Sequence, residues 1–313
     1  LLNMTKTCTI YALVFTAVVL CLCLSAEAGE GNMRKSPIAG SWYPGNKERL
    51  QDLIQDLMKK AKLPELSGRP LAVISPHAGI QYSGQAAAYG FKALQGKKIK
   101  RVLLLGPSHY TYMHGIATSG VDAYETPLGQ VRVDRVISDA LHALPLFQGP
   151  RNAEMPEHSL EMQLPFLQVV LGDFSLVPLV VGELAPQEYQ QAAVALIKYV
   201  DNSTVVVASS DFTHYGGRFG YVPFRDNVKK NLEKLDGDAI TKIIAKDLNG
   251  FLQYLDTTGA TICGCRPIGV LLKLLPPDAQ GTLLTYYTSG DLLNDFTDTV
   301  SYASILFTAE QKK

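Results

Sequence analysis

Three short apolar runs, each leading into a histidine, constrain this chain more than any other feature. Leu71–Ile74 passes through Ser75 and Pro76 to His77, and Arg101–Leu105 passes through Gly106, Pro107 and Ser108 to His109. Thr204–Ala208 passes through Ser209, Ser210 and Asp211 toward His214. Continuous apolar runs bounded by turn formers read as strands buried on both faces. Pro76 cannot donate to a sheet ladder and turns Ser75 away from helix, so the first strand must stop there. In an open α/β sheet, parallel strands deliver their C-terminal loops to one edge, where ligands bind. The three histidines, distant in sequence, are therefore expected to meet at that edge beside Asp211. Loop histidines that merely cap backbone groups would explain any one of them, but explain all three together poorly.

The rest of the pattern alternates helix and strand. Glu48–Lys62 has apolar residues at helical spacing with lysines at its C-terminal end, where the helix dipole favours them. After Gly79 and Gly84 a helix is expected over Gln85–Leu94, and a turn-rich β excursion over Gly115–Val133. Helices are expected over Asp134–Leu144 and Pro186–Tyr199, with a strand between them over Ser175–Val181. Leu160, Leu164, Leu167 and Leu171 share one helical face, with Pro165 as a kink and His158 near the start. Asp226–Tyr254 reads as helix broken near Gly237 and Asn249. A helix over Ile268–Leu275 begins at Pro267, and closing strands are expected over Leu283–Thr288 and Val300–Thr308. No repeat or low-complexity stretch divides the chain. The expected fold is one α/β domain, residues 29–313, with a central mostly parallel sheet flanked by helices.

The first residues read differently. Lys6, the apolar run Ile10–Leu24 and the small residues ending at Ala28 describe a secretory signal peptide over residues 1–28. The run is short for a membrane span, so removal and export to the periplasm or medium are expected, with no stable membrane association afterwards. Cys8, Cys21 and Cys23 leave with that segment. Cys263 and Cys265, one residue apart, make no useful staple. Retaining them in an oxidising compartment points to chemistry such as metal binding, the alternative being a buried inert thiol. Cys263 precedes an expected helix N-terminus, which would lower its pKa and favour the thiolate. A formal net charge of zero and the lack of a basic run give no sign of a nucleic-acid partner.

The segments Pro76–Gly79, Gly106–His109, Glu157–Glu161, Ser209–His214 and Thr261–Gly264 together resemble the Memo family, which includes the mediator of receptor-driven cell motility and the bacterial AmmeMemoRadiSam system protein B. The likeness runs from about Pro37 to Thr308. It implies a fold similar to class III extradiol dioxygenases, which use non-haem Fe(II). It also implies a metal held by His77, His109 and Cys263, with Asp211 and His214 beside it. Trp42 and Tyr43 match an aromatic pair at the family's pocket rim. Cys265 stands where many relatives carry arginine, and the signal peptide departs from the intracellular members.

Imidazole with one thiolate suits Fe(II), Cu or Zn better than Mg or Ca. The first expectation is an iron-dependent oxidoreductase of dioxygenase type, with His214 as acid/base oriented by Asp211, and His158 facing the same crevice or else accepting a loop hydrogen bond. A hydrolase using Cys263, His214 and Asp211 is the second. The third is a crevice that binds a peptide or small ligand without turnover.

Overall fold

The computed structural model describes residues 32–309; the signal peptide expected over residues 1–28 lies outside them. In chain order the elements are β1 (Met33–Arg34), α1 (Lys47–Lys60), β2 (Pro70–Ser75), α2 (Ile80–Lys92), β3 (Arg101–Pro107), β4 (Ile116–Thr118), β5 (Ala123–Thr126) and β6 (Gly129–Arg132). Then come α3 (Arg135–His142), α4 (His158–Glu161), α5 (Leu164–Leu171), β7 (Ser175–Val181), α6 (Glu188–Ile197), β8 (Thr204–Ser209) and β9 (His214–Gly216). The chain closes with α7 (Val228–Ile244), α8 (Leu248–Thr258), α9 (Cys265–Leu274), β10 (Gln280–Thr288), α10 (Ser289–Leu293) and β11 (Asp298–Thr308).

The main sheet has the order β10-β11-β2-β8-β3-β7-β4. The inner four, β2, β8, β3 and β7, are mutually parallel, while β10, β11 and β4 run against their neighbours. Side chains alternate across this sheet, as a period of two requires. Val73, Val102, Leu104, Val205 and Val207 pack on the face covered by α1, α2 and α5. Ala72, Ile74, Leu103, Leu105 and Val206 pack on the face covered by α6, α7, α8 and α9. Both faces are thus dry, which explains why these strands read as unbroken apolar runs. A small second sheet, β1-β5-β6, forms from the expected β excursion and the residues that enter the domain.

Three sequence expectations are corrected. The helix after His77 starts at Ile80, ahead of Gln85, because Gly79 itself is its N-cap. The kink expected at Pro165 is a full break: α4 ends at Glu161, and Pro165 sits in the first turn of α5, where a missing N–H costs nothing. Gly237 does not break α7, which continues to Ile244; the chain turns instead at Lys246, whose φ is 58°.

Candidate metal centre

Strand order puts the site together. β8 lies between β2 and β3, so His77 and His109 leave the sheet on either side of the turn that carries Asp211. Cys263, just before α9, joins them from the far end of the chain. One donor atom each from His77, His109 and Cys263 lie within 4.8 Å of one another, with Cys263 Sγ 3.2 Å from His77 Nε2. Ligands held 2.0–2.3 Å from a shared tetrahedral ion stand about 3.3–3.8 Å apart; the Cys263–His77 pair is close to that spacing, and nitrogen with sulfur is the donor chemistry that suits a soft or borderline cation. His158 completes an imidazole cluster: its ring centroid is 4.5 Å from that of His109 and 5.4 Å from that of His77.

The hydrogen bonds behind the rings fix their tautomers. Ser209 Oγ lies 2.8 Å from His77 Nδ1 and donates its only proton to the Ser159 carbonyl at 2.6 Å. It also accepts from Gln163 Nε2 at 2.7 Å. His77 Nδ1 must therefore carry hydrogen, leaving Nε2 as a lone pair aimed at the sulfur. Glu157 Oε1 takes His109 Nδ1–H at 2.9 Å, freeing His109 Nε2 in the same way. Burial alone would raise the Glu157 pKa, but bonds from the His109 side chain and from the backbone of His109 and Ser159 outweigh it and hold it at about 2. Burial and the neighbouring His109 push the His77 pKa well down, and burial with His77 and His109 lowers His158 to about 3. His77 and His158 are thereby favoured in the neutral form, the form in which a histidine ligates.

Several expected roles change. Asp211 does not orient His214. Its Oδ1 accepts the backbone N–H groups of His77 at 2.8 Å and Ala78 at 3.3 Å, fixing the turn that presents His77. His214 Nδ1 instead faces the Thr261 carbonyl at 3.1 Å, and its backbone N–H donates to Thr261 Oγ1 at 2.9 Å. Burial and the Asp211 carboxylate push the Cys263 pKa well above the usual thiol range, against the lowering expected from the nearby helix start. The hydrolase arrangement accordingly does not form, since the imidazole beside Cys263 is His77 rather than His214. Tyr43 is not at the rim; it is 3% exposed and its hydroxyl donates to Glu161 Oε1 at 2.6 Å. Trp42 does line the pocket, its ring 4.4 Å from His158, and its carbonyl accepts the Ile80 N–H at 2.9 Å.

Beneath the site lies a buried ion pair. Arg34, 0% exposed, donates through Nη1 to Glu161 Oε2 at 2.5 Å, through Nη2 to the Glu157 carbonyl at 2.9 Å and through Nε to the Glu154 carbonyl at 2.8 Å. One guanidinium therefore anchors the segment whose carboxylate orients His109. Nothing in the sequence around Arg34 or Ser209 marks them for these roles. Glu157 carried a faint signal, since it caps α4 by accepting the Ser159 N–H. The second thiol, Cys265, packs against the core on the α9 face and is outside the donor cluster.

The imidazoles open into a cavity of about 520 Å³ with aromatic walls from Trp42, Tyr82, Phe219 and Tyr302. His158, Asp211 and His214 line it as well. Among the described residues, no helix is long and apolar enough to cross a membrane.

Fold and site define a single-domain α/β protein with an imidazole and thiol donor cluster at the strand ends of a mostly parallel sheet. A family model described as Memo-like protein matches residues 34–306, and the chain belongs to that family. It is 33% identical over 279 residues to a MEMO1 family protein of Thermoplasma volcanium, covering 88% of this chain and 98% of that protein. To human Protein MEMO1 it is 32% identical over 286 residues, covering 87% and 96%. To the memo-1 homolog of Caenorhabditis elegans it is 34% identical over 290 residues, covering 88% and 82%. An uncharacterized protein from Escherichia coli K12 shares the fold, with a TM-score of 0.50 at 13% identity over 76% of this chain and 99% of that one.

Proposed function

We propose that this chain is a metal-binding oxidoreductase of dioxygenase type, exported after loss of its leader, with Fe(II) as the resident ion and Cu or Zn as substitutes. The observation that carries the reading is the pair of fixed tautomers. His77 and His109 each present a lone pair at Nε2 because Ser209 and Glu157 hold the opposite nitrogen. His77, His109 and Cys263 would hold the ion. When bound, it would supply Lewis acidity and one-electron chemistry toward dioxygen and a phenolic or other small-molecule ligand.

The chain's own residues bind and orient. Trp42, Phe219 and Tyr82 offer flat apolar faces to a ring, and shield the strand-end cluster from bulk water. His214, whose Nδ1–H is held by the Thr261 carbonyl, keeps Nε2 free to take a proton from a ligand hydroxyl. His158, neutral through burial, can donate or accept within the same cavity.

The test is anaerobic loading of the mature protein with Fe(II), metal quantification, and oxygen uptake over a panel of catechols and other phenols. One equivalent retained, lost in Cys263→Ala and His77→Ala, with ligand-dependent oxygen uptake is the expected result. Metal retention unchanged in Cys263→Ala would remove the sulfur from the centre. Tight metal with no oxygen uptake would leave a binding protein for a small molecule or peptide in place of an enzyme.

A further inference from the structure

A second cavity, of about 500 Å³, lies on the other side of the cluster. His109 stands in the wall between the two cavities, and Cys263 lines the second alone. Pro107 at the end of β3 and the loop after it to Met113, with Val181 at the end of β7 and the following Gly182 and Glu183, form most of its lining, and Arg266 on α9 closes one side. Tyr110 and Tyr112, both exposed, also line it, but its buried wall differs from that of the first cavity. Met113 and Val181 are buried, at 7% and 1% exposure, and with Pro107 and Cys263 they make an apolar, sulfur-bearing wall.

The charged part of the lining is an ion pair, beside the polar side chains of Ser108, His109 and Thr111. Arg266 Nη2 donates to Glu183 Oε2 at 2.5 Å, with the side chains 35% and 45% exposed. A guanidinium has five N–H donors and a carboxylate has two oxygens. Among the described residues, Arg266 Nε and Nη1 have no partner, and neither does Glu183 Oε1. The pair is neutral as a whole, so it does not attract a simple anion or cation by net charge. It offers unused donors on one side and an unused acceptor on the other. That is the complement of a zwitterion, whose carboxylate would take the guanidinium and whose ammonium would take the free oxygen.

We propose that the second cavity binds a free α-amino acid with an apolar or thioether side chain, its carboxylate on Arg266, its ammonium on Glu183 and its side chain against Met113 and Val181. Arg266 and Glu183 lie outside the donor cluster, although His109 and Cys263, which belong to it, also line this cavity; the contacts proposed for the amino acid fall on Arg266, Glu183, Met113 and Val181 alone.

L-methionine is the probe, titrated into the full chain by isothermal calorimetry, as purified and again after dialysis against a chelator. Saturable 1:1 binding is expected, with the same Kd in both preparations. N-acetyl-L-methionine, which lacks the ammonium, and L-methionine methyl ester, which lacks the carboxylate, are each expected to bind at least about tenfold more weakly. Arg266→Met and Glu183→Gln are expected to weaken L-methionine to a similar degree. Both side chains are partly exposed, so the variants are expected to fold as the parent does. Phe219→Ala, in the other cavity, is expected to leave the Kd unchanged. Lack of saturable binding, equal binding of the three compounds, or loss of binding in Phe219→Ala would overturn the proposal. Loss of binding on chelation would assign methionine to the metal cluster and overturn it as well.

Discussion

Ser209 Oγ and His77 Nδ1 are 2.8 Å apart, and between them the imidazole is the donor. The serine hydroxyl is committed to the Ser159 carbonyl, so it can only accept from the ring. Replacing it by alanine removes that acceptor and frees the ring to turn or change tautomer. Ser209→Ala is expected to weaken Zn(II) or Co(II) binding by about 10–100-fold, the usual cost of removing such an outer partner. Competition against a chromophoric chelator measures it. Unchanged affinity would mean that the tautomer is set by something other than Ser209.

Arg34 and Glu161 test the support beneath the site. Arg34→Met leaves the Glu161 carboxylate buried without its cation, a change expected to cost about 3–5 kcal/mol. Urea unfolding with an unchanged slope would show this as a lower midpoint. Adding Glu161→Leu in the same chain is expected to return part of the loss, because the stranded charge is then gone. A loss below about 1 kcal/mol in the single variant would show that the pair is not held as tightly as its burial implies.

Two glycines are expected to respond with opposite signs. A Cβ on Gly264 would stand 2.3 Å from Ser210 Cβ and 2.5 Å from the Ser209 carbonyl oxygen, so Gly264→Ala must shift backbone next to Cys263. The expected cost is about 1–3 kcal/mol together with weaker metal binding. A Cβ on Gly237, within α7, would meet nothing within 4 Å, and Gly237→Ala is expected to stabilise by about 0.5–1 kcal/mol. Thermal unfolding of the two variants side by side decides the matter; shifts of the same sign would contradict it.

Asp236 carries a pH signature. It is fully buried and accepts from Thr213 Oγ1 at 2.6 Å and from the Tyr286 hydroxyl at 2.7 Å. Burial raises its pKa above the ordinary 3.8, and the bonds from Ser301, Thr213 and Tyr286 offset this only in part. An acid with a raised folded-state pKa binds more protons folded than unfolded between the two values. Its contribution to stability is therefore present at low pH and lost as pH rises through that window. Asp236→Asn has no such loss. The stability difference between variant and parent should move in favour of the variant as pH rises from about 4 to 7. Denaturant unfolding across that range measures it, and a flat difference would refute the assignment.

The fold was legible because both faces of the inner strands are covered. Val102–Leu105 and Thr204–Ala208 could be read as strands, and proline and glycine marked their ends. The convergence of His77 with His109 followed from strand direction alone. What could not be read was which acceptor stands behind each ring. Asp211 and His214 are close in sequence, yet Asp211 turns to the backbone of His77 and Ala78, and His214 to Thr261. Sequence proximity invites a pairing that the turn geometry refuses. The thiol of Cys263 failed for a related reason: the proximity of a helix start was visible, but the depth of the sulfur and its neighbour Asp211 were not. Arg34 was unreadable because its partners lie more than a hundred residues away, with Glu161 127 positions along the chain.

The position of β11 has a bearing on how this protein is made. β2, which presents His77, is flanked by β8 on one side and by β11, ending at Thr308, on the other. A ribosome releases β2 early and its two neighbours much later. Through most of translation the strand bearing His77 is an unpaired apolar segment, exposed to chaperones or to misassociation. The histidine cluster can become rigid only once nearly the whole polypeptide has left the exit tunnel, so whatever binds there under the proposed function must bind after synthesis rather than during it.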